Sequence, residues 1–241
     1  MEQHQIEYSD HVIDFVVKRK NVKNVNLNIK PDLSIVVSAN DHVPIDFIYD
    51  FVRSKGSWIL KHIEEFKRVA PYERSEREYV SGESYKYLGR QYRLRVRETD
   101  EEELVKYFRG FIYLYVKDPE NKRRKEKLLR NWYRKKAKKI FHESLENMYP
   151  LVGKYGIEKP AIEMRRMKAR WGSALVEKNT ILLNTELIKA PRYCIDYVIL
   201  HELIHFIYND HSDNFYSMLY TLMPDWKKRK KILDEEIVRE L

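Results

Sequence analysis

The sequence is poor in cysteine and glycine. Cys194 is the only cysteine among 241 residues, which excludes both an internal disulfide and a zinc site built from several thiolates. Any metal must therefore be held by histidine and carboxylate side chains. Only seven residues are glycine, whereas 43% are apolar and 13% aromatic, so the composition is not that of a disordered chain. We expect a globular protein with a sizeable core.

Segments that address a protein to a membrane are also missing. No apolar run is long enough to span a bilayer. The opening stretch MEQHQIEYSDHVIDF lacks the basic flank followed by an apolar run that a signal peptide needs. We expect a cytoplasmic protein with no membrane partner.

The charge balance is basic, with 46 Lys and Arg against 37 Asp and Glu, a net charge of +9. Eleven of the residues from 122 to 139 are Lys or Arg, and only Glu126 is acidic. Such a stripe is either a solvated helix surface or a contact for nucleic acid. If it is a contact, Lys135, Lys136 and Lys139 are candidate phosphate ligands. Composition leaves both interpretations open.

Hydrophobic periodicity predicts an α+β fold in three parts. Alternating residues predict a hairpin within 12–39 and short antiparallel strands from 79 to 116, whereas three- and four-residue spacing predicts helices near 44–69. Residues 1–118 are therefore predicted to form a β-rich N-terminal portion, and residues 119–150 a basic amphipathic connecting helix. Residues 151–241 are predicted to form an α+β portion on which the first portion packs, with helices from about Pro191, Ser212 and Asp225.

The stretch HELIHFIYNDH, residues 201–211, has the spacing of a metal site. His201 and His205 are four residues apart, so both imidazoles lie on one helix face and can bind one ion. Glu202 projects from the adjacent edge, where it can accept a proton from water at the ion. Apolar flanks predict a buried helix, in which His and Glu are costly unless paired or metal-bound. A buried network without metal is the alternative.

A third ligand would complete a zinc site that keeps one position open, and His211 is the candidate. It lies six residues after His205, so the helix must break between them. Asn209 and Asp210 are the expected site of the break, because these residue types tolerate left-handed backbone conformations.

Several motifs spread over nearly the whole chain resemble the YgjP-like family of predicted zinc metallohydrolases, which is related in its motif to the SprT and Wss-type proteases. They are VKRKNVKNVNLNIKPDLSIVVSA, FVRSKGSWILKHI, YLGRQYRLRV, RWGS, ILLNTELIKAP, IDYVILHELIH, NDHSDNFY and MPDWKKRKKIL. The resemblance implies a minimal zincin-like metallopeptidase portion over 151–241, one zinc ion on His201, His205 and His211, and Glu202 as the catalytic carboxylate.

The RWGS motif departs from the family's usual pattern at its end. The family continues with a cysteine, whereas this chain has Ala174. A small buried residue can be exchanged for Ala with little loss of packing. Because the motif precedes a predicted strand, Arg170, Trp171 and Ser173 are candidates to line the cleft, although Trp171 is equally suited to a structural role.

Three functions are compatible with these residues. The first is a zinc-dependent peptidase in which Glu202 acts as general base and the peptide lies along an edge strand. By analogy with the related proteases, it would act near DNA. The second is a UTP pyrophosphatase, as described for some family members, although the chain has no glycine-rich phosphate loop. The third is a nucleic-acid-binding protein whose structural metal needs a fourth ligand, such as an acidic residue after Ser212.

Overall fold

A computed structural model describes residues 2–29, 33–69, 77–167 and 170–240. The chain divides into two compact units, Met1–Glu73 with Ile237–Leu241, and Arg74–Glu236. Within the described residues, no helix is both long enough and apolar enough to cross a membrane.

The first unit contains a four-stranded sheet and two helices. Its elements are β1 (Glu2–Tyr8), β2 (His11–Arg19), β3 (Asn26–Ile29), β4 (Ile35–Ala39), α1 (Ile45–Ser54) and α2 (Gly56–Val69). The strand order is β1-β2-β4-β3, with β2 and β4 parallel. The predicted hairpin is confirmed as β3–β4. Alternate strand residues such as Phe15 and Val37 form an apolar core with Ile48 and Val52 of α1.

The second unit begins with another four-stranded sheet, which confirms the predicted short strands. It comprises β5 (Ser84–Tyr87), β6 (Arg90–Glu98), β7 (Leu104–Phe108) and β8 (Phe111–Val116). The strand order is β5-β6-β8-β7, in which β5–β6 and β7–β8 are antiparallel as predicted. The prediction of antiparallel pairing is wrong for β6 and β8, which are parallel because β7 lies between them in sequence and the chain reverses twice. Both hairpins turn through two residues with positive φ, Leu88–Gly89 and Arg109–Gly110. That conformation matches the twist of the flanking strands and favours glycine at the second position.

The predicted long amphipathic helix is α3 (Lys122–Gly153). The Asn121 side chain caps its first turn by accepting a hydrogen bond from the N–H of Arg124 at 3.0 Å. Leu129, Trp132 and Phe141 lie on its buried face. The helix therefore has one apolar face and one strongly basic face.

A three-stranded sheet and three helices follow in the chain, and all but the last four residues of the third helix belong to the second unit. They are β9 (Ala161–Arg165), β10 (Gly172–Leu175), β11 (Thr180–Asn184), α4 (Arg192–Ile204), α5 (Asp213–Leu222) and α6 (Trp226–Glu240). The order is β10-β11-β9, with β10 antiparallel and β9 parallel to β11, so one edge of β10 pairs with no other strand among the described residues and is a free edge there. Helix α4 is buried on most of its surface, as its apolar sequence predicts.

The mixed α+β character agrees with the sequence prediction, but the division at residues 118 and 150 does not coincide with the compact units. Strands β5–β8 belong with α3 and the following residues rather than with β1–β4. The physical reason is a shared core, in which Tyr87, Leu94 and Ile112 of this sheet belong to the same buried cluster as Phe141 of α3 and Ile195 of α4.

Candidate metal centre

The candidate site lies where α4 ends. Helix α4 stops at Ile204, and His205 caps it with helical dihedral angles of −64° and −17°. The backbone N–H groups of Phe206, Ile207 and Tyr208 then bond back to the carbonyls of residues 203 and 204 at 2.9 to 3.1 Å. These tight turns redirect the chain directly after His205.

This turn differs from the one expected from the sequence. Among the described residues with positive φ, neither Asn209 nor Asp210 appears. The expectation of a left-handed break at these two residues is therefore wrong. Because the helix ends before His205, ordinary right-handed turns suffice to bring residue 211 back towards the helix end.

Three histidines converge at this point. His201 lies in the last turn of α4, His205 caps it, and His211 precedes α5. The Nε2 atoms of His201 and His211 are 3.0 Å apart. Each of the three side chains offers a nitrogen, and these atoms all lie within 4.8 Å of one another. The structure thus brings together the three histidines named from the sequence.

One phenylalanine ring packs against the rings of all three histidines. Phe215 of α5 is fully buried, and its ring centroid lies 4.9, 4.7 and 4.9 Å from those of His201, His205 and His211. His211 also stacks on Tyr216 at 5.9 Å. This packing restricts the histidine rotamers, so the nitrogen positions are set before any ligand arrives.

The protonation of the histidines suits metal binding. Burial, together with the charges of the neighbouring His205 and His211, lowers the pKa of His201 to about 3. Burial also lowers the pKa of His205. His205 Nδ1 lies 3.1 Å from the carbonyl oxygen of Tyr208; when it donates there, the Nε2 lone pair is left for a ligand. Both rings are therefore neutral near pH 7, which is the form that binds metals.

Glu202 is the buried carboxylate beside the histidines, with 7% of its surface exposed. Burial raises the pKa of Glu202 to about 7, although a hydrogen bond from the backbone N–H of Ala174 and the charge of Arg170 act in the opposite direction. The absence of a side chain at Gly172 leaves room for the Glu202 carboxylate, because a Cβ at residue 172 would lie 2.6 Å from Oε1 of Glu202. Strand β10 therefore both accommodates and orients this side chain.

Two adjoining clefts border the histidines. One, of about 310 Å³, is lined by His201, Glu202 and His205 together with Arg170 and Ser173. The other, of about 420 Å³, shares His201 and Glu202 and includes Trp171 and aromatic side chains from α4, α5 and α6. The structure thus places Arg170 and Ser173 in the first cleft and Trp171 in the second.

Asn184 supports the chain segment that enters β10. Its side-chain amide donates to the carbonyls of Met167 and Arg170 at 2.8 and 3.1 Å, and its Oδ1 accepts from the N–H of Met167 at 3.3 Å. Its backbone N–H donates to the Trp171 carbonyl at 2.8 Å. Sequence reasoning did not identify Asn184, Gly172 or Phe215. Only the burial expected from helical periodicity in α5 hinted at Phe215.

The lysines named from the basic helix have other neighbours. Lys136 Nζ lies 5.1 Å from the centre of the Tyr107 ring, and Lys139 Nζ lies 3.8 Å from a carboxylate oxygen of Glu143. Lys135 is exposed. None of the three lines either cleft at the histidines, and a nucleic-acid contact through them stays a prediction.

The donor set fits zinc in an open site. Two nitrogens bound to one tetrahedral zinc ion at about 2.0–2.1 Å lie roughly 3.3 Å apart, and the His201–His211 pair is close to that at 3.0 Å. In the part of the chain that the structure describes, the cluster contains no carboxylate or fourth protein donor. The acidic residue after Ser212 that would close a structural site is therefore not present in the cluster.

The comparisons with known proteins include one family model and two solved structures. A family model for the YgjP-like metallopeptidase domain matches residues 23–236, and no curated protein shows a significant match. Among solved structures, the metallopeptidase zymogen abylysin of Pyrococcus abyssi is 20% identical, covering 42% of this chain and 94% of its own, with a TM-score of 0.36. The zymogen jannalysin of Methanocaldococcus jannaschii is 23% identical, with coverages of 42% and 96% and a TM-score of 0.34. At these TM-scores the structural likenesses carry no conclusion.

Proposed function

The chain belongs to the YgjP-like metallopeptidase family, and from this premise we propose that it is a zinc-dependent peptidase with one zinc ion on His201, His205 and His211 and with Glu202 as general base. One observation carries the proposal. Three histidine nitrogens lie within 4.8 Å of one another, and a buried carboxylate lines the same open cleft. A closed structural site has no need of such a carboxylate.

The side chains around the cleft have distinct tasks in this reaction. A bound zinc ion would supply a Lewis acid that acidifies water and polarises the scissile carbonyl. Glu202 takes the proton from the attacking water and passes it to the leaving amine. The Ala174 N–H bond to this carboxylate restricts its orientation, and a carboxylate retains further acceptor capacity for the transferred proton.

The free edge of β10 supplies a place for an extended peptide. Ser173 and Ala174 line the cleft, and β10 pairs with β11 on its other edge. A substrate that adds a strand here would be held by backbone hydrogen bonds, which do not depend on side-chain identity. The proposed substrates are therefore peptides or unfolded proteins.

Glu202→Gln tests the proposal, because it keeps the size of the side chain and removes its basicity. We expect cleavage of an unfolded protein such as reduced, alkylated casein to fall by about a hundred- to ten-thousand-fold. Zinc content, measured by plasma mass spectrometry, should stay at about one ion per chain. Glu158→Gln, which makes the same change at an exposed position, is the matched control and should leave both quantities unchanged.

Two outcomes would contradict the proposal. Full cleavage activity in Glu202→Gln would show that this carboxylate is not the base, and loss of zinc would show that it is a ligand. Release of pyrophosphate from UTP, measured in parallel, tests the alternative that the protein is a UTP pyrophosphatase. Zinc-dependent UTP hydrolysis without any cleavage of protein or peptides would replace the peptidase by that activity.

A further inference from the structure

The sheet of β5–β8 has one face on the core and one face in solvent. Ile112, Leu114 and Val116 of β8 are buried, so the alternate residues of that strand point the other way. The exposed face carries cationic and aromatic side chains from three strands, which we call the arginine–aromatic face. Its members are Arg93, Arg95, Arg97, Lys106, Phe108, Phe111, Tyr113 and Tyr115.

Strand register arranges these residues in rows across the sheet. Each row has an arginine of β6, an aromatic residue of β8 and a residue of β7. The rows are Arg93–Phe111–Phe108, Arg95–Tyr113–Lys106 and Arg97–Tyr115–Leu104. Successive rows are two residues apart, or about 7 Å. The face therefore repeats a guanidinium beside an aromatic ring three times.

The rings and guanidinium groups are in contact. The Arg95 guanidinium carbon lies 3.9 Å from the centre of the Phe111 ring, and that of Arg97 lies 5.2 Å from the Tyr113 ring. The Tyr113 and Tyr115 rings are stacked at 6.4 Å with an angle of 23° between their planes. The third row is thereby joined to the second, and the aromatic groups form a continuous ladder along β8.

The face also has exposed apolar surface and, among the described residues, positive charge that no carboxylate pairs with. Phe108 is 59% exposed, with the Arg109 guanidinium 5.0 Å from its ring centre. In the described part of the chain, no carboxylate forms an ion pair with Arg93, Arg95, Arg97 or Lys106. Glu98 is the last residue of β6, and the acidic residues 100–103 follow it at the Arg97 end. The positive potential is therefore strongest towards the Arg93 and Phe108 row.

We propose that the arginine–aromatic face binds single-stranded nucleic acid. Two chemistries are combined on one flat surface: guanidinium groups that bind phosphates, and aromatic rings on which unpaired bases stack. A duplex offers the phosphates but hides the faces of its bases, and an acidic peptide offers charge without flat rings. The acidic residues that follow β6 repel phosphates, so a nucleic-acid strand would cross the sheet at the row of Arg93 and Phe108. This site is separate from the metal centre and independent of the peptidase proposal.

The test measures binding of a fluorescent 20-nucleotide oligothymidine to the full-length protein by anisotropy. Arg93→Gln, Arg95→Gln and Arg97→Gln combined should weaken binding at least tenfold. The same variant should reduce the slope of log K against log salt by up to about 2, because each phosphate contact on a single strand contributes roughly 0.7. The control Lys20→Gln, Lys23→Gln and Lys55→Gln removes equal charge from exposed residues of the first unit. It should change affinity less than twofold.

A second pair of variants tests stacking. Phe108→Ala should weaken binding about fivefold or more, since base stacking contributes measurably for each base. Phe47→Ala removes a ring with similar exposure, 56%, and should have no effect. Both changes are at exposed positions, so circular dichroism should show intact folds. A strand of the same length without bases should bind more weakly than oligothymidine.

Three results would overturn the proposal. The first is no binding of oligothymidine by the unaltered protein at 0.1 M salt. The second is an equal loss in the arginine variant and its lysine control, which would mean that net charge alone matters. The third is equal affinity for oligothymidine, the strand without bases and a polyglutamate chain, which would mean that the rings take no part.

Discussion

The end of α4 and the outer face of the β5–β8 sheet both concentrate polar and charged side chains, but the first buries them and the second exposes them. At the candidate metal centre, His201 and Glu202 are largely removed from water, and burial shifts the pKa of each. On the arginine–aromatic face, the arginines are exposed. Each buried polar group depends on particular neighbours for its hydrogen bonds and charge. Several exposed arginines, by contrast, contribute together to one charged surface. Single changes should therefore have large effects at the first region and small, cumulative effects at the second.

The largest effect is expected from removing two of the proposed ligands. His201→Ala combined with His205→Ala leaves at most one imidazole, too few to hold zinc in an open site. Zinc content should fall from about one ion per chain to almost none, and peptidase activity should disappear. The control is His42→Ala combined with His142→Ala, both at exposed positions. Undiminished zinc in the first variant would remove the basis for treating the α4 end as a metal centre.

A single methyl group should test how closely the buried site is fitted. In Gly172→Ala the new Cβ would lie 2.6 Å from Oε1 of Glu202, so the carboxylate must move. We expect activity to fall by about a hundredfold, as a misplacement near 1 Å can do, while zinc is retained. Gly153→Ala, on α3 and outside the site, controls for general damage. Unchanged kcat would show that the position of Glu202 is adjustable.

Replacing one phenylalanine in each region compares how much the two regions contribute to the free energy of unfolding. Phe215→Ala removes a fully buried ring and should lower the free energy of unfolding by about 3–5 kcal/mol. Phe108→Ala removes a ring that is 59% exposed and should change it by less than about 0.5 kcal/mol. Urea unfolding followed by circular dichroism measures both. Equal losses would mean that the outer face of the sheet contributes to the core.

Much of the local structure was predictable because it depends on short-range periodicity. The apolar flanks of HELIH predicted a buried helix, and four-residue spacing predicted that His201 and His205 share a face. The arrangement of the strands was less accessible. Nothing within β10 itself shows that its free edge lies beside Glu202, because that position depends on pairing with β11 and packing against α4.

The roles of small and polar residues were the hardest to foresee. Gly172 matters because of a side chain thirty positions later, and Asn184 matters because it bonds to the carbonyls of residues 167 and 170. Both contacts are long-range, so neither has a pattern in the local sequence. The prediction for the turn after His205 is wrong because residue propensity favours a left-handed break, whereas early termination of α4 makes one unnecessary.

The position of His205 as the cap of α4 has a consequence for how the site forms during folding. All three proposed ligands come from one eleven-residue stretch, so an ion that joins them would close only short loops, whose entropic cost is small. The chelate can therefore form early and locally, before distant strands have paired. An ion bound there would crosslink the three histidines and so stabilise the C-terminal turn of α4. Removing it should increase amide hydrogen exchange first in residues 203–211, while the sheets retain their protection.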